Sequence, residues 1–494
     1  MNKIFRPFVK NENMMLMKLL KICQNIIPSL LCTLVVIYCV FIYFPVLGYD
    51  YSLFVSWAND YKFAWDKFRV FNIIFTPQRC GGVPVWANPI SVNLSLFHIL
   101  SILLQDIHAI ALYIVIYISM SYFSLKKFLN LFDVNNFWAT YLCIGWCLQG
   151  FIIARAVVGH LTYINIGVWP LYSYILLKKS SNSSSVIHLL LISILYSHDV
   201  YSANPYLFAM FPFSFLLMYL ILKINKITGF SSCKTVVFRL ISMLFISFLI
   251  SLPKILAIHS FTKNFQREVS FTQNGLPESL NYVLMNFFFP YPLDYKKLVG
   301  WWYGNWESIS FIYPFMTIFI LIKCLINPKE NSRLIFSLLL LLIVAVFITI
   351  GAYAEFVKVL PMVKSFHVNP RWIPIISLGT LSLVIIFIKK FNFPKILSFF
   401  FILLSFLCPL FFLDREYLFV NYTYRHALDL TTNRVNYCYE PVFGYQLELL
   451  PRYKLNGKYV DPRCYLGNAN CNDFTLPLNL HKNLEEYSLK PFKD

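Results

Sequence analysis

The sequence predicts an all-α polytopic membrane protein with about eleven transmembrane helices, a large first outer loop and a small soluble C-terminal region. Three observations carry this expectation. The 494 residues are 58% hydrophobic and 13% charged, with a mean hydropathy of +0.62, which is more apolar surface than a soluble fold of that length hides. Apolar runs of roughly 17–22 residues recur along the chain. Lys and Arg gather in alternate connectors, so the formal charge of +19 follows membrane topology and gives no reason to expect a nucleic-acid partner.

Lys3, Arg6, Lys10, Lys18 and Lys21 precede the first apolar run, 26–46. With no small-residue cleavage site evident after it, this run reads as a span. The first outer loop follows, then an interfacial segment at 91–104 and a span at 107–125 stopped by Lys126 and Lys127. Spans at 136–156 and 161–177 lead to Lys178, Lys179 and a flexible SSNSSS connector. Further spans fall at 186–198, 205–223 and 237–258, the last entered past Lys223, Lys226, Lys234 and Arg239. Spans at 308–326, 334–351, 372–388 and 396–413 complete the membrane domain, 1–413, whose outer loops are 47–106 and 259–306. Residues 414–494 are polar and rich in turn formers. The loops on the N-terminal side hold 19 Lys and Arg against 3 acids (Glu12, Asp133 and Glu330), which places the N-terminus inside and the C-terminus outside.

The first outer loop concentrates the chemistry. Asp50 stands just after the first span. Phe54, Trp57, Tyr61, Trp65 and Phe68 then recur at helical spacing, predicting an amphipathic helix with its rings at headgroup depth and Asp60 and Asp66 on solvated faces. Asp50 can cap that helix or act as a general base on a hydroxyl. QRCGGVPVWANP predicts a tight turn, and its Arg79 suits either bidentate anion binding or interfacial snorkelling.

Three polar clusters fall at outer ends of spans: Arg155 with His160, His198 with Asp199, and His367 with Arg371. Ionisable groups at that depth are functional candidates. His198 and Asp199 can share a metal ion or orient one another as an acid–base pair, although their spacing matches no zinc motif. Arg155 and Arg371 can hold a lipid phosphate or anchor at the headgroups. Outer cysteines Cys464 and Cys471 are close enough in sequence for a disulfide, with Cys80 and Cys438 as other partners, and the remaining eight cysteines read as packing residues. No phosphate-binding glycine loop is present, so a nucleotide cofactor is not expected, while a divalent cation stays open.

On Asp50 after the first span, GGVPVWANPIS (81–91), GHLTYINIGVWPL (159–171) and LPMVKSFHVNPRW (360–372), the chain resembles the GT-C class of integral-membrane glycosyltransferases, most nearly its bacterial YfhO-like branch. The resemblance covers the organisation of about the first 390 residues; its motifs are short. It implies inverting transfer of a sugar from a polyprenyl-phosphate-linked donor to an envelope glycan or lipid acceptor, at the outer leaflet of a bacterial cytoplasmic membrane and amid membrane lipids. The catalytic base of that class falls on Asp50. Asp199 or His198 would lie near the same cavity, and basic residues (Arg79, His160, Arg371 and His367) near the donor phosphate. Many members carry an acidic pair in the first loop, whereas Asp50 is followed by Tyr51. The other readings are a transporter or flippase, and a polysaccharide polymerase or ligase.

Overall fold

The structure, a computed structural model, describes residues 26–42, 51–72, 74, 85–89, 91–104, 106–179, 184–202, 204–264, 280–281, 283–284, 313–350, 369–391, 393–412, 453–455 and 458–460. These residues are mostly helical. Among the described residues, six helices are long and apolar enough to cross a membrane: Ile107–Phe132, Asn136–Val157, Pro205–Ile224, Cys233–Phe261, Ser332–Ile350 and Trp372–Phe391. Five further apolar helices, Ile26–Phe41, Leu161–Leu177, Val186–Tyr201, Met316–Ile326 and Lys395–Leu407, are shorter. Each apolar run of the sequence carries one of these eleven helices, and six of them reach spanning length.

In chain order, α1 is Ile26–Phe41, α2 Tyr51–Phe68, α3 Leu96–Leu103, α4 Asp106–Leu129, α5 Asn136–Cys147 and α6 Gly150–Val158. A 3₁₀ segment, Leu161–Val168, leads into α7, Trp169–Leu177. Next come α8 (Ser184–Tyr201), α9 (Pro205–Ile224), α10 (Cys233–Asn264), α11 (Pro314–Ile326) and α12 (Ser332–Ile350). A second 3₁₀ segment, Asn369–Ile376, precedes α13 (Ser377–Phe391), and α14 is Lys395–Phe412. A small antiparallel hairpin, Tyr453–Leu455 with Lys458–Val460, pairs Tyr453 with Val460.

Burial separates core helices from outer ones. In Trp372–Phe391, 94% of the apolar window is buried, against 33% in Cys233–Phe261. Accordingly α10 turns Phe238, Ile241, Phe245 and Leu249 outward, one stripe at helical spacing suited to lipid. Its other face is joined to α8 by a polar ladder. Ser247 Oγ donates to Ser193 O at 2.9 Å, Ser251 Oγ to Ser197 O at 3.5 Å, and Tyr201 Oη to Ile250 O at 2.8 Å. Residues four apart share a helix face, so small serines let the two backbones approach and hydrogen-bond across the contact. Arg239, expected to mark an inner loop, is buried instead and donates to Lys178 O at 2.6 Å beyond the end of α7, where free carbonyls collect.

α2 departs from its expected place. Phe54, Trp57, Ala58, Asp60 and Tyr61 are all buried. Phe54 meets Phe97 of α3 edge-on at 5.4 Å, and Tyr61 lies 4.0 Å from the His98 ring. The aromatic stripe therefore packs into the protein, and only its end, with exposed Phe68, faces outward. Asp60 is buried with the stripe because it lies on the same face as Trp57 and Tyr61; Asp66 is exposed and pairs with Lys62 at 3.1 Å. Stripe spacing identifies an amphipathic face without saying whether lipid or protein covers it.

The 3₁₀ segment Leu161–Val168 is buried along its whole length and is long for that geometry. Gly159 starts it, ending α6 in the left-handed region at φ 103° and returning its N–H to Arg155 O at 3.2 Å. Gly167 lets it close on its neighbours. Its carbonyl accepts from Trp146 Nε1 at 3.0 Å, and a Cβ there would meet Ser121 Oγ at 2.5 Å and Ser121 Cβ at 2.6 Å. Gly167→Ala therefore lowers stability by roughly 1–3 kcal/mol, read as a fall in apparent melting temperature of the purified chain in lipid nanodiscs. Ala at exposed Phe137 should leave it within about 0.5 kcal/mol of wild type.

Candidate functional site

The last turn of α8 gathers buried polar groups. Asp199 is 1% exposed. Its Oδ1 accepts from Asn165 Nδ2 at 3.0 Å, and Asn165 Oδ1 accepts from Tyr113 Oη at 2.8 Å. Asn165 comes from the 3₁₀ segment and Tyr113 from α4, so three elements converge on this carboxylate. Asp199 Oδ2 is buried without a hydrogen-bond partner.

His198 uses different partners. Its Nε2 accepts the Leu96 N–H at 2.7 Å, which places the ring proton on Nδ1. Nδ1 lies 2.8 Å from Ser202 Oγ and 3.1 Å from Tyr117 Oη, while Ser202 Oγ also lies 2.7 Å from His198 O as its donor. His198 and Asp199 therefore do not form an acid–base pair. Successive helical residues point about 100° apart and do not face each other. With both nitrogens engaged, the neutral ring brackets the start of α3 against α4. Among the described residues, no group of three His, Cys, Asp or Glu side chains is placed to hold a metal ion.

Asn204 follows in the α8–α9 connector, its N–H bonded to Asp199 O at 3.0 Å. It is the N-cap of α9, a position where Asn normally accepts from the helix's first N–H groups. Here the side chain makes no capping bond, and Nδ2 and Oδ1 are both buried and unpartnered. Such groups cost about 1–3 kcal/mol each.

Lys254 fixes the turn that meets Tyr201 at the end of α8. It is 0% exposed, inside α10. Its Nζ donates to Trp86 O at 2.7 Å, Ser91 Oγ at 2.8 Å and Asn88 O at 3.2 Å. Three ammonium donors thus meet three acceptors, and Nζ also lies 5.5 Å from the Trp86 ring. Ser91 Oγ closes the turn through Asn88 O at 3.0 Å. The turn motif is consequently fixed to α10 at the level of α8's end, where Trp86 and Tyr201 sit with ring centroids 6.1 Å apart.

Farther along the same loop, Leu94 is held at φ 61° and gives its N–H to His98 Nδ1 at 2.9 Å. His98 is buried between Tyr61 and Phe71, with ring centroids at 4.0 and 4.8 Å. Burial pushes its pKa from 6.5 down to about 4, against a smaller raising effect of the Phe71 backbone.

A second buried cation lies near the end of α6. Arg155, 0% exposed, packs over Tyr163 at 4.7 Å and Phe151 at 5.2 Å, and its Nη1 is 2.5 Å from His160 Nδ1. The next residue along, Ala156, accepts from Tyr51 Oη at 2.6 Å. Burial holds the Tyr51 phenol above its usual range, so it remains a donor. The start of α2 is thereby tied to the end of α6.

Of the residues expected from sequence, the structure brings Asp199, His198, His160 and Arg155 to the elements that meet around the Leu161–Val168 segment. Arg371 lies on the second 3₁₀ segment, which packs against α9; Ser214 Oγ donates to Pro374 O at 3.5 Å. Asp50, Arg79 and His367 lie outside the described residues, as do Cys80, Cys438, Cys464 and Cys471. Cys32, Cys39, Cys143, Cys147 and Cys324 are buried as packing residues, whereas Cys233 is exposed. Sequence reasoning missed Tyr113, Asn165, Asn204, His98 and Lys254. A lysine within an apolar run was the available signal for Lys254, and the short GHLTYIN stretch that for Asn165.

Two outcomes test this geometry. Lys254→Met strands three acceptors and should cost about 3 kcal/mol or more, with faster protease cleavage within 85–91; Lys254→Arg should retain part of the protection. For His98, the folded pKa of about 4 lies below the ordinary 6.5. The unfolded chain therefore binds the proton first, and stability is lost as pH falls from about 6.5 towards 4, by up to about 3 kcal/mol. Melting curves across that window should show this loss reduced in His98→Asn. No protein-family model, curated protein or solved structure matches this chain in the comparisons made.

Proposed function

We propose that this chain is a membrane glycosyltransferase that moves a sugar from a polyprenyl-phosphate-linked donor to an envelope glycan or lipid acceptor. The reading takes the N-terminus as cytoplasmic, the C-terminus as periplasmic and all eleven apolar helices as spans of a bacterial cytoplasmic membrane. The observation that carries it is the convergence at one end of α8. Asp199, a buried carboxylate with one free oxygen, is bonded to Asn165 of the 3₁₀ segment whose Tyr163 packs under the buried Arg155. A preorganised carboxylate and cations in a dry, helix-walled site suit a displacement whose leaving group already carries negative charge.

In this mechanism Asp50, adjoining the anchored Tyr51, accepts the proton of the acceptor hydroxyl. The hydroxyl oxygen bonds to the anomeric carbon as the bond from that carbon to the phosphate oxygen breaks. A single displacement inverts the anomeric centre, and polyprenyl phosphate leaves as an anion towards Arg79, Arg155, His160, His367 and Arg371. Asp199 orients the sugar. The transport reading gains one observation, the ionisable Lys254 inside a span. Its donors are already taken by the 86–91 turn, which makes it a clamp more than a conduction residue.

The test is transfer from isotope-labelled polyprenyl-phosphate sugars in membranes containing the full chain. Asp50→Asn should lower transfer by a factor of about 10²–10⁴ at unchanged membrane abundance, and Asp199→Asn should raise KM more than it lowers kcat. Wild-type rates in Asp50→Asn would overturn the assignment.

A further inference from the structure

α2 ends on a residue poorly suited to the conformation it holds. Arg69 follows the last helical residue at φ 55° and returns its N–H to Trp65 O at 2.9 Å. This is the left-handed helix end that glycine ordinarily supplies, and an arginine there is strained. The contact across such an end is made by the arginine itself, whose guanidinium lies 5.8 Å from the Trp65 ring.

Around Arg69 the chain turns apolar side chains outward. Phe68, Val70, Phe71 and Ile74 are all exposed, Ile74 at 69%, and Lys67 and Arg69 are exposed among them. The tip is fixed in this position. Phe71 stacks on the buried His98 ring of α3 at 4.8 Å. Ile74 O accepts the Trp86 N–H at 3.2 Å, from the turn that Lys254 holds. Four apolar side chains are therefore held out of the protein core, where water is a poor solvent for them.

Two observations name what covers them. α3, on which the tip is stacked, itself exposes Ile99 and Leu103, and Ile107 is exposed where the spanning helix Ile107–Phe132 begins. The tip thus rests on an element that leads straight into a membrane-crossing helix. Charge is the second observation. Between 62 and 74, Lys62, Lys67 and Arg69 stand against Asp66 alone, and Asp66 pairs with Lys62 at 3.1 Å. Apolar side chains flanked by excess positive charge match the edge of a leaflet, with acyl chains on one side and acidic headgroups beside the cations. A free anion would answer the charge and leave the apolar side chains in water.

We infer that the tip of α2, Lys67 to Phe71 with Ile74, is a binding site for acidic phospholipid. Phe68, Val70, Phe71 and Ile74 enter the leaflet at which Ile107–Phe132 begins, and Lys67 and Arg69 hold the headgroup phosphate. This goes beyond the transfer reading and stands whether or not the chain moves sugar. The strain at Arg69 is retained for its guanidinium, since glycine would end the helix at lower cost.

A dansyl amino acid in place of Ile74 tests the site on the full chain, in phosphatidylcholine nanodiscs holding a small fraction of spin-labelled lipid. Spin-labelled phosphatidylglycerol should quench the dansyl emission at least about threefold more than spin-labelled phosphatidylcholine at equal fraction. Added salt should narrow that gap. Arg69→Gly should nearly abolish the gap while melting no lower than the wild type, because glycine takes this φ without strain. Lys67→Gln should narrow the gap in part, and it decides the matter if the glycine variant is not folded. A tip that lies in water, or that another protein covers, shows no quenching by either lipid, which overturns the site. Equal quenching by the two lipids in the wild type overturns it as well, and so does a gap that the folded variants leave unchanged.

Discussion

Burying an amino group among apolar helices demands that its donors be met from within the protein, and Lys254 shows how much structure that demand organises. A lysine inside α10 has no water to turn to. Its donors go to Trp86 O, Asn88 O and Ser91 Oγ, a connector about 165 residues earlier in the chain. The bargain is mutual, because the turn's acceptors would be stranded without the lysine. Once the turn is fixed, Leu94 follows at positive φ, the Leu96 N–H meets His198, and α3 packs under α2. The end of α8 thus acquires a wall made of loop backbone, anchored to two helices.

The same demand accounts for the 3₁₀ segment after Gly159. An α-helix would satisfy its own backbone and present its side chains at 3.6-residue spacing. The tighter helix, entered through a glycine turn, brings Asn165 towards both Tyr113 and Asp199 and sets Gly167 directly on Ser121. Holding a carboxylate at that depth requires a donor, and Asn165 supplies it for one oxygen.

Composition and periodicity made the helical class and the positions of the apolar helices legible, because burial in lipid or protein leaves the same long apolar runs. Local chemistry accounts for two helix ends: Gly159 closes α6, and Pro205 opens α9. What covers an amphipathic face was not legible. The stripe on α2 has the same spacing whether lipid or α3 lies over it, and Asp60 went inward because its own face did. The pairing of His198 with Asp199 looked plausible from adjacency, yet adjacency on a helix separates side chains. Lys254 was legible only as an anomaly, since its three partners come from a distant turn.

Asn204 shows the deepest limit of local reading. Its position before Pro205 is that of an ordinary N-cap, and nothing local distinguishes a capping amide from a free one. The distinction lies in the surroundings: backbone geometry at φ −130° and ψ 60° carries the side chain away from the helix's first N–H groups. Around this site the buried polar groups divide into two kinds. Lys254, His198 and Asn165 have their bonding capacity taken up and hold elements together. Asn204 and one oxygen of Asp199 are buried at the same cost without that return. The contrast with Lys254, whose three donors meet three acceptors, shows that depth alone does not decide whether a buried polar group is met.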